Sequence, residues 1–225
     1  MKKIHLKKTE NPKANIHLLM NIFNPTCINI SNEQKSYIKK KYLIDENKFN
    51  ILVNARWTKP KGIIEIISGF KEFNIENPLS KIWFFNASGD YQNEIINKLK
   101  QLPIELYERV IFEDNIFAVY PHMNAFIHVP QRSTYESFGL VYIEAMSFGL
   151  PCVFTKSGIG LDILVDEENS ILVPYNSPLK IKEALDRICN DKKFTENIKE
   201  NAKKIINIFS PENHINKLLE IYKLN

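Results

Sequence analysis

Two glutamates eight positions apart bracket the segment Glu136-Ser137-Phe138-Gly139-Leu140-Val141-Tyr142-Ile143-Glu144-Ala145-Met146. Its pattern predicts a helix over 138–148, with Glu136 just before the N-terminus and Glu144 two turns in. At about 1.5 Å of rise per residue, the second carboxylate lies about 12 Å of helix beyond the first. Between them the Phe138, Gly139 and Leu140 amides are free at the helix mouth, which carries roughly half a positive charge and suits an anion. Gly139 has no side chain to keep a phosphate away. One carboxylate can then hold a group at the mouth while the other accepts hydrogen bonds from hydroxyls. The spacing alone decides nothing in a chain that is 25% charged, because most such pairs are solvated.

Three other junctions carry groups of the same kind. The loop 54–62 is basic and runs into a helix. Arg56 offers a fork and Lys61 a point charge to an anion, and two solvated surface cations are an equally good reading. In the segment 86–90, Gly89 permits a tight turn or a close backbone approach to a ligand, and an ordinary turn explains it as well. The segment 155–162, with Gly158 and Gly160, opens a further helix and presents amides to the same crevice. Cations, free amides and two carboxylates together suit a phosphate-bearing polyol.

Positioning these groups requires a particular order of elements. Apolar runs predict strands over 50–55, 81–86, 110–113, 125–129, 151–154 and 170–173. Amphipathic stretches predict helices over 62–73, 91–101, 116–120, 138–148, 159–165, 179–189, 192–209 and 212–223. Ser31 and Gln34 form a capping-box signature for one more helix, through Leu43, with Ile38 and Tyr42 facing a core. Alternation at this spacing predicts an α/β fold, a Rossmann-like parallel sheet covered by helices on both faces. Ligands of such sheets bind beyond the carboxyl ends of the strands, where all four junctions fall. The first 30 or so residues read as an arm or connector.

Composition narrows the classes. With 225 residues the chain makes one large domain or two small ones, at roughly 100 to 200 residues per domain. Hydrophobic residues at 44%, with 14 Phe and 9 Tyr, exclude a disordered or fibrous chain. A net charge of +4 is too small to argue for nucleic acid. Three distant cysteines argue against a disulfide framework or a cysteine-based zinc site, and point to a reducing, cytoplasmic setting. There is no apolar signal segment near the start and no run of about 18 apolar residues that spans a bilayer. Lys39-Lys40-Lys41 could touch anionic lipid, a peripheral membrane association, although such a run is more often solvated. His5, His17, His122, His128 and His214 show no ligand spacing, predict no metal site and read as structural or surface residues. Only 7 glycines occur, and four of them (Gly139, Gly149, Gly158, Gly160) cluster between 139 and 160.

At these residues the chain resembles the C-terminal, donor-binding lobe of retaining glycosyltransferases of family 4, also called group 1, which have the two-lobed GT-B fold. The resemblance is collinear from about residue 50. It comprises Arg56 with Lys61-Gly62, the Ser88-Gly89 turn, Glu136-Ser137-Phe138-Gly139-Leu140 through Glu144-Ala145-Met146, Gly149-Leu150-Pro151-Cys152-Val153, and a terminal helix ending in Tyr222. It implies a connector over 1–49 and a donor lobe over 50–225. It implies catalytic roles for Arg56 and Lys61, on the pyrophosphate of a nucleotide sugar, and for Glu136, near the anomeric carbon. It implies donor contacts from Glu144 to ribose hydroxyls, from the Phe138, Gly139 and Leu140 amides and the Gly89 turn, and from the 112–116 region with Asn115 beside the base. The implied activity is a metal-independent, retaining, hexosyltransferase-type transfer in polysaccharide biosynthesis. No cofactor is implied; the substrate is a UDP- or GDP-linked sugar, and the acceptor is a glycan or lipid-linked saccharide.

Two departures stand out. The family's Asp-Gly, Asn-Gly turn is replaced by Asp166-Glu167-Glu168-Asn169-Ser170, and the acceptor lobe has no counterpart, so it is missing or carried on another chain. The leading reading is a transferase donor lobe. The alternative is a nucleotide-sugar-binding module or subunit without transferase activity of its own.

Overall fold

The computed structural model describes residues 17, 19 and 21–223. Six parallel strands form one sheet: β1 (Phe49–Asn54), β2 (Ser80–Phe85), β3 (Tyr107–Arg109), β4 (Ala125–His128), β5 (Cys152–Phe154) and β6 (Ile171–Leu172). Their order is β3-β2-β1-β4-β5-β6. The direction of winding therefore reverses between β1 and β4, with Ile51 opposite Ile82 on one side and Ala125 on the other. Loops leaving the carboxyl ends of these two neighbours diverge and open a crevice.

Alternation along the strands divides the apolar residues into two layers. Ile51, Val53, Ile82, Phe84, Ile127 and Val153 face one core. Leu52, Trp83, Phe85, Phe126, Cys152 and Phe154 face the other. The first layer is covered by α2 (Ile63–Glu76), α3 (Gln92–Leu99) and α6 (Pro178–Asn190). The second is covered by α1 (Asn32–Tyr42), α4 (Leu140–Ser147) and α8 (Ile205–Ile208), and α7 (Lys192–Lys203) spans both, with Ile198 on the first and Ala202 on the second. A single-turn α5 (Gly160–Ile163) and the exposed α9 (Pro211–Lys223) complete the chain. This is the Rossmann-like α/β fold read from the sequence.

The capping box at α1 forms as expected, with Ser31 and Gln34 bonded reciprocally, and the helix stops where Leu43 takes a left-handed conformation. Ile38 is fully buried, and Tyr42 meets the Phe85 ring edge-on. Phe23 is buried as well, its amide donating to the Phe209 carbonyl at 2.9 Å, so the chain just ahead of α1 packs on the second layer. The His17 region is described only in part, and His5 lies outside the described residues.

Several sequence expectations are corrected. The third strand is Tyr107–Arg109 rather than 110–113. The apolar run after it is a loop in which Ile111 and Phe112 are 58% and 67% exposed. The helix expected over 116–120 is a pair of 3-10 turns, Ile116–Ala118 and Tyr120–His122, because Pro121 has no amide hydrogen to continue an α-helix. The helix expected over 138–148 begins only at Leu140, because its N-cap Gly139 has φ 89°, a left-handed conformation that cannot be part of the helix. In the turn that replaces the glycine-containing one, Glu167 adopts φ 60°, and its neighbours Asp166 and Asn169 accept from the Leu172 and Val165 amides. Two of the three lysines in the run on α1 are engaged: Lys39 pairs with Glu46 and Lys41 with the buried Glu113 at 2.6 Å. Among the described residues no helix is long and apolar enough to cross a membrane, and Cys27, Cys152 and Cys189 are all free.

Asn50 ties the base of the sheet together. Its carbonyl oxygen accepts from the buried Trp83 Nε1 at 2.9 Å, and its amide group donates to the carbonyls of Asp45 and Lys48. Asn50→Leu leaves the indole N–H without a partner and is expected to cost about 2 kcal/mol in urea unfolding. A loss below about 0.5 kcal/mol would show that the bond does not matter to stability.

Candidate functional site

The crevice at the switch point is an open cleft of about 410 Å³. Arg56 and Lys61 reach it from the loop after β1, Glu136 and the Phe138–Leu140 backbone from the loop after β4, and Glu144 from the second turn of α4. Residues expected from different junctions thus share one cavity. Glu136 does so from a turn four residues ahead of the helix, so the 12 Å helical spacing read from the sequence does not apply.

Glu136 is the most strongly held of these groups. Lys61 Nζ donates to its Oε2 at 2.5 Å and His128 Nε2 to the same oxygen at 2.9 Å. Ser157 Oγ accepts from its backbone amide at 3.0 Å. The side chains of Lys61 and Glu136 are only 16% and 14% exposed, so solvent screens the pair weakly. Burial alone would raise the Glu136 carboxyl, but hydrogen bonds from His128 and Lys61 outweigh it and bring the pKa down to about 2. His128 is 2% exposed. Burial lowers its pKa, which keeps the ring neutral and leaves Nε2–H to donate. The ring is fixed edge-on against Tyr142 at 5.0 Å, and the Tyr142 hydroxyl donates to the Thr155 carbonyl. His128, expected from its spacing to be structural or at the surface, is buried in the cleft wall, where it holds Glu136. No local signal points to it: its partner is a carboxylate in the next loop. Among the described residues no group of three His, Cys, Asp or Glu side chains could hold a metal ion.

Arg56 is exposed. The Phe138, Gly139 and Leu140 amides make no hydrogen bond to another described residue, so the cleft presents three unused donors. Gly139 cannot be replaced without conflict. Besides its positive φ, a Cβ there would lie 2.7 Å from the Tyr142 ring and 2.8 Å from Glu136 Cγ. The empty space at this position is thus shaped by the site itself.

Glu144 sits deeper. Tyr120, fully buried, donates its hydroxyl to Glu144 Oε2 at 3.2 Å. Burial raises the Glu144 pKa and the Tyr120 bond opposes the rise. Sequence reading missed Tyr120, whose apolar neighbours mark it only as core.

Three expected contributors fall elsewhere. The cleft wall runs through Asn86 and does not include Gly89; Gly89 packs on the backbone of Trp57. Asn115 caps a 3-10 turn, and its amide donates to Glu113 at 2.9 Å; it too lies outside the wall. The amides of the 158–162 loop are consumed internally: Gly158 donates to Ser133, Ile159 to Phe138 and Gly160 to Ser157. That loop braces the Glu136 turn and offers no amides to the crevice.

The Glu136 pKa predicts a pH signature. Folded at about 2 against an ordinary 4.5, this carboxyl contributes stability that is fully present above pH 4.5 and is lost as pH falls toward 2. Glu136→Gln is expected to flatten urea stability against pH between those limits. An unaltered slope would contradict the ion pair.

Comparisons with known proteins bear on the family and the fold. The chain is 28% identical over 221 residues to an uncharacterised glycosyltransferase of Methanocaldococcus jannaschii, covering 95% of this chain and 55% of that one. It is 36% identical over 84 residues to sucrose-phosphate synthase of Spinacia oleracea, 37% of this chain and 8% of that enzyme. It spans about half the length of the long curated relatives it matches. Among solved structures, HepE of Anabaena in complex with UDP superposes with a TM-score of 0.82 at 19% identity, covering 92% of this chain and 57% of that one. A glycosyltransferase from Rickettsia africae gives 0.81 at 18% identity, covering 91% and 56%. Both likenesses are of fold. The family model for glycosyl transferases group 1 matches residues 34–205, and the chain belongs to that family.

Proposed function

We propose that this chain is the C-terminal donor lobe of a retaining, family 4 type glycosyltransferase and holds a nucleoside-diphosphate sugar in the cleft between β1 and β4. The observation that carries the reading is the joint lining of one cavity by Arg56, Lys61, Glu136, Glu144 and the unused amides of Phe138 to Leu140. A diphosphate needs clustered donors and cations, and a ribose needs an acceptor for its hydroxyls.

In this reading Arg56 and the amides meet the diphosphate. Lys61 stands between that anion and Glu136, and stabilises the charge that develops on the departing nucleotide, the work that a metal ion does in other enzymes. Glu136, kept ionised by Lys61 and His128, faces the transferred sugar near its anomeric carbon. Glu144 accepts from the ribose. The resemblance assigns the base to the 112–116 loop, which follows β3 beyond the cleft wall. That HepE has been solved with UDP-glucose supports a UDP-linked hexose as the first donor to try.

Because the chain spans about half the length of its relatives, transfer is assigned to this lobe joined to an acceptor-binding one, which would receive a glycan or lipid-linked saccharide. Closing two lobes brings the reactants together and excludes water. A lobe that binds donor but supports no transfer would be a nucleotide-sugar-binding subunit.

Calorimetry of the chain with UDP, GDP and ADP is expected to show binding to at least one of them. No heat with any of the three at millimolar concentration would overturn the reading. Glu144→Ala removes charge-assisted bonds and is expected to weaken the nucleotide roughly ten- to a hundredfold; unchanged affinity would assign Glu144 to structure alone. For Glu136→Ala the loss is expected to fall on the nucleotide sugar more than on the bare nucleotide. Equal losses for the two ligands would exclude a sugar contact.

A further inference from the structure

Along the cleft wall, through Asn86, Asn54 and Glu144, with the buried Tyr120 behind them, runs a chain of polar groups whose donors all point one way. Asn86 Nδ2 donates to Asn54 Oδ1 at 2.7 Å, Asn54 Nδ2 to the Tyr120 hydroxyl oxygen at 3.4 Å, and that hydroxyl to Glu144 Oε2 at 3.2 Å. These residues come from the ends of β2 and β1, the turn before β4, and α4, so the chain crosses the switch point from one side to the other. Asn86 holds a left-handed φ of 54°, which asparagine tolerates better than most residues. The Tyr120 ring is clamped by stacking, with Phe148 at 4.7 Å and 14° and with Phe126 at 6.0 Å and 18°. Its hydroxyl therefore has a fixed position rather than a swing.

We propose that Tyr120, oriented by Asn54 and Asn86, is the positioning residue that holds Glu144 as an ionised acceptor facing the cleft. The reasoning is one of donor supply. The two asparagine amides fill the acceptor sites along the line, which leaves the tyrosine proton with Glu144 as its partner. A carboxylate that takes this bond on Oε2 keeps Oε1 for a ligand's hydroxyls. A protonated Glu144 would be a poorer acceptor for them. Burial, and then the Glu144 charge, raise the Tyr120 pKa well above the ordinary phenol value, so the donor keeps its proton at any working pH. Burial pulls Glu144 toward its neutral form, and the Tyr120 bond is what opposes it.

Other titratable groups nearby do not replace this contact. Of those lining the same cleft, Lys61 and His128 are taken by Glu136, and Arg56 is exposed. From β5 the Cys152 thiol lies near Tyr120 and is kept protonated by burial. All of these remain in place in the variants below, so a difference reports on the relay.

The claim about Glu144 needs no ligand, whereas its use in binding rests on the donor-site reading above. The test is a carbon-13 NMR titration of the glutamate carboxyl carbons in the full chain, with Glu144→Gln identifying the Glu144 resonance. In Tyr120→Phe, which keeps the stacked ring, Glu144 is expected to titrate at higher pH than in the wild type. Asn54→Ala should move it in the same direction by less, and decides the matter if Tyr120→Phe does not fold. UDP affinity at neutral pH should fall roughly three- to tenfold in Tyr120→Phe, and the pH at which affinity is lost should rise with the Glu144 titration. A Glu144 titration that is the same in both variants and the wild type overturns the relay. If Glu144 shifts but the wild type binds no nucleotide, the relay stands and the donor-site reading falls. If UDP binds and Glu144 does not shift, the relay alone falls.

Discussion

The site depends on two parallel strands that are neighbours in space but far apart in the chain. β1 and β4 lie side by side where the winding of the sheet reverses, so no crossover helix covers the gap above them. Lys61 and Glu136 bridge that gap, one from each loop, with His128 reaching up from the last position of β4. A carboxylate this buried would be driven toward its neutral form without partners. His128 is fixed in turn by the Tyr142 ring, whose hydroxyl is held by the Thr155 carbonyl, and Ser157 holds the Glu136 backbone amide. The charge at the centre of the cleft and the packing around it are therefore one structure, which is why the 158–162 loop, with no free amides to give, still matters: it braces the Glu136 turn.

The sequence made legible those parts of the fold that follow from local rules. The capping box of α1 rests on Ser31 and Gln34 alone, and five of the six strands follow from short apolar runs. The third strand was misplaced because Val110, Ile111 and Phe112 look like a strand interior. In the fold, the sheet pairing of β2 is taken by Tyr107 to Arg109, and Ile111 and Phe112 are left exposed. Apolar character reports burial on average and cannot say which of two adjacent runs pairs. The start of α4 was misplaced for a different reason: Gly139 was read as a place for close approach, yet its left-handed backbone also bars the helix from starting earlier.

For the site, residue types after the strands mark Arg56, Lys61, Glu136 and Glu144 only as candidates and the family resemblance supplies their roles; the fold brings all four to one cleft. His128 and Tyr120 escaped because their importance lies in partners distant in the chain or in an unrelated loop. One sits in a buried strand and the other in a run of aromatic core. Both are polar groups that must find partners once buried, and both find a cleft glutamate. Gly89 stands out for its turn and Asn115 only through the resemblance; in the fold Gly89 packs on the Trp57 backbone and the Asn115 amide donates to Glu113. The sequence thus carries the groups of the cleft better than the groups that aim them.

In the proposed reading, the unused amides of Phe138, Gly139 and Leu140 receive the diphosphate, and Glu144 receives the ribose. The most direct test of that claim is a nitrogen-15 correlation NMR titration of the chain with UDP. The account predicts the largest shifts at those three amides and around Glu144, saturating together with a single affinity. Saturable shifts confined to another face of the molecule, with these amides unmoved, would contradict it.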